Sequence, residues 1–258
     1  YAVYFPPTNP EVRGPEDTAP PLIVEIHGGP TSQSRPSLIP EYLYWTSRGF
    51  AILDVNYGGS TGYGTAYRRR LNGRWGVVDV RDCALAAAAA AERGLADPTR
   101  LVIRGGSAGG FTALAAVAYR DEFAAAVSYF GVADLSLLAE HTHKFESHYL
   151  DSLVGRYPED RAVYDARSPI HHLDGIDVPV LLFQGLEDLV VPPEQARVMF
   201  DGLRGRGVPV GLIEYEGEGH GFRRADNQVR TIEAELWFYG RVLGFEPADE
   251  IESVDGFE

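Results

Sequence analysis

Ser107 stands in Gly105-Gly106-Ser107-Ala108-Gly109-Gly110, directly after the apolar run Leu101-Val102-Ile103 and directly before an alanine-rich stretch. A serine hydroxyl is almost fully protonated at neutral pH. To attack a carbonyl carbon it needs a base to take its proton, and that base needs an acid to hold its tautomer. His220, in Gly217-Glu218-Gly219-His220-Gly221-Phe222, and Asp188, in Gln184-Gly185-Leu186-Glu187-Asp188, supply both residue types. The chemistry open to such a set is acyl transfer.

Each of the three follows a short apolar run, so each is expected just beyond the carboxyl end of a strand, on one edge of a sheet. Gly105 and Gly109 flank Ser107 where a side chain would collide with a neighbouring strand or helix, the pattern of a nucleophile elbow. The chain order serine, acid, histidine is that of α/β-hydrolases. The tetrahedral oxyanion needs N–H donors, each worth roughly 3 kcal/mol. Ala108 N–H, next to the nucleophile, is one candidate, and Gly29 N–H, in the turn His27-Gly28-Gly29-Pro30, is the second.

Rival readings exist for each residue. The glycines around Ser107 could open a phosphate-binding loop, but neither a Gly-Lys-Ser/Thr ending nor dinucleotide spacing is present. Glu187 competes as the acid, and Asp188 could cap the helix expected near Pro193; Asp188 is preferred because it is nearer the loop apex. His27 belongs to a strand-end turn, and His171-His172 read as surface or packing residues. His141, His143 and His148, with Glu140 and Glu146, suggest a metal site, but His-x-His without a clear third ligand is common by chance. Neither a metal nor a cofactor is expected. Tyr57 and Tyr63 could line the same cleft, although aromatics beside glycines more often pack.

The elements that must position these residues alternate. Strands are expected over Pro21 to Ile26, Phe50 to Val55, Arg100 to Arg104, Phe123 to Tyr129, Val178 to Gly185 and Val210 to Tyr215. Helices are expected over Tyr42 to Ser47, from an Asp79 cap through Ala84 to Arg93, from the elbow through Tyr119, from Pro193 to Leu203 and from Asn227 to Val242. A short strand-like start precedes a proline-rich lead-in to Pro20, and Gly131 to Pro169 reads as a helical excursion above the sheet ends. The fold class is therefore α/β, an α/β-hydrolase fold whose mostly parallel central sheet carries helices on both faces, in one domain of 258 residues.

A net charge of −14 argues against a nucleic-acid partner, and Arg68-Arg69-Arg70, the compact basic cluster, reads as a solvated helix face. No apolar run is long enough to cross a bilayer, so no membrane partner is expected. Cys83 is the single cysteine, a small buried helix residue by its neighbours, which fits a reducing, cytoplasmic setting. The sole methionine is Met199, so the chain is expected to be a fragment or a processed piece, either a domain of a longer protein or a stand-alone hydrolase of shorter form.

With these residues in view, the chain resembles the catalytic domain of the prolyl oligopeptidase family of serine peptidases, particularly its acylaminoacyl-peptidase and dipeptidyl-aminopeptidase-like branch. An ordered set carries the resemblance over nearly the whole chain: His27-Gly28-Gly29-Pro30-Thr31, Asn56-Tyr57-Gly58-Gly59-Ser60-Thr61-Gly62-Tyr63-Gly64, Gly73-Arg74-Trp75-Gly76, the Ser107 elbow, Ser168-Pro169, Gln184-Gly185-x-x-Asp188-x-x-Val191-Pro192 and Gly217 to Phe222. It implies Ser107 as nucleophile, His220 as base then acid, Asp188 as its orienter, donors at Gly29 and Ala108, and a specificity pocket drawn partly from the segment after Gly131. Prolyl oligopeptidase itself assists the oxyanion with a tyrosine hydroxyl where this sequence has His27, so the second donor falls to the Gly29 backbone. Short peptides are the implied substrates. The resemblance also implies an N-terminal β-propeller in the same protein, although no propeller repeat occurs in this chain; a homo-oligomer stays open. The alternatives are a carboxylesterase using the same triad, a non-catalytic domain on the same scaffold, and a metal-dependent hydrolase built on the histidine segment.

Overall fold

Along the central strands, successive side chains point to opposite faces of the sheet, and both sets are apolar. Leu22, Val24, Ile26, Leu101 and Ile103 join one buried cluster, whereas Ile23, Ile52, Val102, Val127 and Phe183 join the other. Strands apolar on both sides must be covered on both sides. A computed structural model of the chain describes residues 1–141, 148–254 and 257 and shows how this is met.

The elements follow the chain as β1 (Ala2–Phe5), β2 (Leu22–Ile26), α1 (Pro40–Ser47), β3 (Ala51–Val55), α2 (Thr65–Arg68), α3 (Val78–Glu92), β4 (Leu101–Gly106) and α4 (Ala108–Tyr119). They continue with β5 (Ala125–Tyr129), α5 (Leu135–His141), α6 (Tyr149–Leu153), α7 (Arg161–Asp165), β6 (Val180–Gly185), α8 (Glu194–Gly205), β7 (Val210–Tyr215) and α9 (Ala225–Leu243). The strands form one sheet in the order β1-β3-β2-β4-β5-β6-β7, parallel except for β1 against β3. Residues of α3, α4 and α8 pack in the first cluster, and residues of α1 and α9 in the second. This is the α/β sandwich expected, and Gly131 to Pro169 does carry short helices between β5 and β6.

From β2 the chain steps to β3 on one side and then crosses back to β4 on the other. The direction of winding therefore reverses at β2, and the carboxyl ends of β2 and β4 lie side by side at the switch point, where open α/β sheets bind ligands. Ile26 pairs with Gly105 there.

Asp79 departs from its expected role. It is not the cap but lies inside the first turn of α3, fully buried, where its carboxylate accepts from Gly76 N–H at 2.7 Å and from the Thr112 hydroxyl at 2.7 Å. Burial pushes its carboxyl up to about 6, against these donors. Cys83 is buried in α3, as read. Arg70 of the basic triplet pairs with Asp82 at 3.3 Å. No described helix is long and apolar enough to cross a membrane.

A buried charge cluster under β4 gave no signal in the sequence. Arg104, 1% exposed, pairs with Glu25 of β2 at 2.5 Å, Glu41 of α1 at 2.8 Å and Glu235 of α9 at 2.9 Å. The hydroxyls of Tyr129 and Tyr239 donate to Glu235. One cation cannot neutralise three carboxylates. Burial pushes Glu25 up to about 8, the Arg104 charge opposing and the Glu41 and Asp54 charges adding, and burial likewise raises Glu235.

The folded chain thus holds protons that an unfolded Glu25 would release near its ordinary 4.5, so these carboxyls make stability fall as pH rises from about 5 to 8. Urea or thermal melts across that range are expected to show the decline. Glu25→Gln, which cannot titrate, is expected to flatten it; an unchanged slope would place the titration elsewhere.

Candidate active site

β4 ends and α4 begins with almost no loop between them. Ser107 is the single residue at the apex, with φ +57° and ψ −120°, a conformation that L-residues rarely adopt and that costs about 1–3 kcal/mol. Its N–H donates to Tyr129 O at 2.9 Å, and its carbonyl accepts from Phe111 N–H at 3.0 Å. The glycines around it are there because backbones meet. A Cβ on Gly109 would lie 2.2 Å from Ile26 O, and one on Gly105 would lie 2.7 Å from both Ile26 O and the Gly109 carbonyl carbon. On Gly28, a Cβ would come within 3.6 Å of Ser107 Cβ, so the turn after β2 stands beside the serine.

The loop after β6 delivers Asp188, which is 2% exposed. Its Oδ1 accepts the N–H groups of Val190 at 2.8 Å and Val191 at 2.9 Å, while Oδ2 lies 2.8 Å from His220 Nδ1. An ionised carboxylate can only accept, so Nδ1 carries the proton and Nε2 presents its lone pair. Ser107 Oγ lies 2.9 Å from that Nε2, in reach to donate its proton. Glu187, the rival acid, is exposed, and its N–H donates to Glu218 O at 2.8 Å.

His220 is held by a device the sequence analysis passed over. The buried Glu218 carboxylate accepts from Arg223 N–H and Arg224 N–H, each at 2.9 Å, and from the Asn227 side-chain amide at 2.8 Å, closing the loop onto the start of α9. Burial pushes this carboxyl up, but the three N–H donors prevail and hold it below its ordinary value. The Phe130 ring, 4.8 Å between centroids, meets the imidazole at a steep angle. The signal for Glu218 was its glycine-flanked place two residues before the histidine.

Gly29, Ala108 and Ser107 line one pocket with Trp75, Val132, Leu138, Tyr149, Leu150, Val190 and Val191. Among the described residues no charged side chain lines it. Among the described residues neither Gly29 N–H nor Ala108 N–H meets an acceptor, so both amides are available to a ligand beside the hydroxyl. Val132, Leu138, Tyr149 and Leu150 come from the segment after Gly131. Gln195 of α8 fixes the start of that segment, its Oε1 accepting from Ala133 N–H and Asp134 N–H and its Nε2 donating to Asp134 O; nothing in the sequence pointed to it. A separate groove lined by Tyr1, Tyr4, Arg70 and Arg93 contains none of the site residues.

Tyr57 and Tyr63 do not line the pocket. Tyr57 is fully buried, stacked on His27 with centroids 4.5 Å apart, and its hydroxyl donates to Pro30 O at 2.7 Å, which makes it a support for the turn after β2. Tyr63 stacks on Tyr1 at 4.1 Å. His27 is turned to Ser60 Oγ, 2.7 Å from Nε2. His171 lies 3.9 Å from Asp165, and His172 makes a 3.1 Å contact with Ala166 O. Of the suggested metal set, the His141 side chain, His143 and Glu146 lie outside the described residues; His148 is on the surface beside Asp151, and Glu140 accepts from Tyr157. No group of three or more metal-ligating residues occurs among the described residues.

Comparison with known proteins gives a consistent result. Residues 36–246 match the prolyl oligopeptidase family. The acylamino-acid-releasing enzyme of Arabidopsis thaliana is 32% identical over 230 residues, covering 84% of this chain and 30% of the plant protein. The dipeptidyl aminopeptidase BIII of Pseudoxanthomonas mexicana is 29% identical over 239 residues, covering 90% of this chain and 34% of that enzyme. A puromycin-hydrolysing peptidase of Mycobacterium tuberculosis superposes with a TM-score of 0.95 at 53% identity, covering 98% of this chain and 38% of that one. The chain thus spans about a third of the length of the relatives it matches.

Helix propensity alone favours alanine over glycine by about 1 kcal/mol inside α4. At Gly109 the 2.2 Å approach to Ile26 O outweighs it, because a backbone carbonyl cannot swing aside as a side-chain tip could. Gly109→Ala is expected to destabilise the chain by about 2–4 kcal/mol in urea denaturation. An alanine variant as stable as the parent would contradict the close packing described.

Proposed function

The chain belongs to the prolyl oligopeptidase family, and from that premise we propose that it is the catalytic domain of a serine peptidase that cleaves short peptides near their N-terminus through an acyl-enzyme on Ser107. The observation that carries this reading is the unbroken relay from Ser107 Oγ to His220 Nε2 at 2.9 Å and from His220 Nδ1 to Asp188 Oδ2 at 2.8 Å.

His220 takes the Ser107 proton as Oγ attacks the scissile carbonyl carbon, and the Asp188 carboxylate stabilises the imidazolium that forms. The N–H groups of Gly29 and Ala108 receive the oxyanion as the carbonyl oxygen gains charge. His220 then returns the proton to the leaving amine, the C–N bond breaks, and an ester to Ser107 remains. Water activated by the same imidazole hydrolyses that ester, and its proton ends on Ser107. A pocket walled by Trp75, Tyr149, Leu150 and Val191 accepts the uncharged side chain on the acyl side of the bond.

Relatives are named for releasing acylated amino acids, for dipeptidyl aminopeptidase action and for puromycin hydrolysis, and these names support the reading. Because the chain spans about a third of those proteins, an upstream β-propeller in the same polypeptide would supply the rest, narrowing access to short peptides. The setting proposed is cytoplasmic, in keeping with a single buried thiol at Cys83.

A fluorophosphonate probe is expected to label Ser107. Ser107→Ala and His220→Ala should each lower kcat roughly 10⁶-fold and Asp188→Asn about 10⁴-fold; full peptidase activity in Ser107→Ala would end the proposal. Turnover of aminoacyl anilides is expected alongside p-nitrophenyl esters, with neutral apolar residues preferred over charged ones at the acyl position. Activity confined to the esters would favour a carboxylesterase that uses the same relay.

A further inference from the structure

Gln184, the penultimate residue of β6, is fully buried, and one side of its amide is left without a partner. Its Nε2 donates to Gly185 O at 3.0 Å and to Val191 O at 3.2 Å, and it lies 3.5 Å from Asp188 Oδ2. Its Oε1 meets no donor among the described residues. Turning the amide over would set Oε1 against two carbonyl oxygens and a carboxylate, so the orientation is fixed by repulsion. A buried acceptor without a partner costs about 1–3 kcal/mol. That cost persists because the N–H side closes a seven-residue loop, Gly185 to Val191, from within.

The consequence falls on Asp188. Oδ1 already holds the N–H groups of Val190 and Val191, and Oδ2 faces His220 Nδ1 and the Gln184 amide. With donors on both oxygens, the carboxylate has no room to rotate about its own axis. We propose that Gln184 is a positioning residue for this relay, stapling the acid loop so that Asp188 Oδ2 stays aimed at His220. The proposal rests on the reading of Ser107, His220 and Asp188 as the catalytic relay and adds to it a residue that touches neither substrate nor the reacting atoms.

The test is a double-mutant cycle on the chain as it stands, with kcat, KM, fluorophosphonate labelling and a urea melt for each variant. Gln184→Met keeps the length and volume of the side chain and removes the N–H. It is expected to lower kcat about 10–100-fold with KM within about twofold and to slow labelling of Ser107 by the same factor. In an Asp188→Ala background the same change should alter kcat by less than about twofold, because a residue acting through the carboxylate then has nothing to act on. Gln184→His, whose ring N–H offers those oxygens a donor, is expected to return kcat to within about fivefold of the parent. A folded methionine variant with parental kcat, or one that loses equally in both backgrounds, overturns the proposal. Should the methionine variant not fold, a folded histidine variant with kcat more than about tenfold down overturns it. Ser107→Ala, measured separately, decides the relay itself: activity there removes the relay and this proposal with it, whereas an inactive Ser107→Ala beside an unaffected Gln184→Met removes this proposal alone.

Discussion

The structure turns on a contact between two pieces of backbone. The first turn of α4 presses against the end of β2 so closely that the Gly109 α-carbon leaves no space before Ile26 O for even a methyl group. That approach places Ser107 beside the turn that carries Gly28 and Gly29, and it puts Gly29 and Ala108 in the lining of one pocket. Strained φ at Ser107, glycine at 105 and 109, and the reversal of winding at β2 are consequences of the same close packing. A hydroxyl on a longer loop would be reachable but not aimed.

The remaining groups are aimed by amides. Asp188 is gripped by two backbone N–H groups and a glutamine, and the loop that carries His220 is closed by Glu218 accepting two backbone N–H groups and an asparagine amide. At Glu218 the neutral donors hold the carboxyl below its ordinary value in spite of burial. On the α1 and α9 face of the sheet the opposite solution appears, with Arg104 surrounded by three glutamates and two tyrosines. There the charges do not balance, protons make up the difference, and the cluster ties β2, β4, α1 and α9 together under the elbow. Two buried ionic arrangements thus serve one sheet, the amide-held carboxylates in the loops after β6 and β7 and the arginine cluster on β4.

Much of this was legible in the residues. Every central strand was foreseen within about two residues, because a buried parallel strand is a short β-branched run and glycine or proline ends it. The three groups of the relay were legible for a related reason: each follows such a run, so each had to emerge on the same edge. Asp79 was misread because a carboxylate at a helix start usually caps it, whereas here Thr112 on a neighbouring helix and Gly76 upstream compete for it. Tyr57 packs, as its glycine neighbours favoured, but its partner His27, thirty positions away, was not visible in the sequence.

Order along the polymer, apolar period and glycine spacing were sufficient by themselves to determine the α/β class, the strand-turn-helix at Ser107 and the edge on which Asp188 and His220 emerge, because these follow from local sterics and burial. Only the tertiary structure decided that Arg104 meets Glu25, Glu41 and Glu235, that Glu218 holds the histidine loop, and that Gln184 faces Asp188. The partners of Arg104 lie tens of residues away and depend on register between strands and on which helix covers which face, whereas those of Glu218 and Gln184 are near in sequence but meet them only once the loops after β7 and β6 have closed.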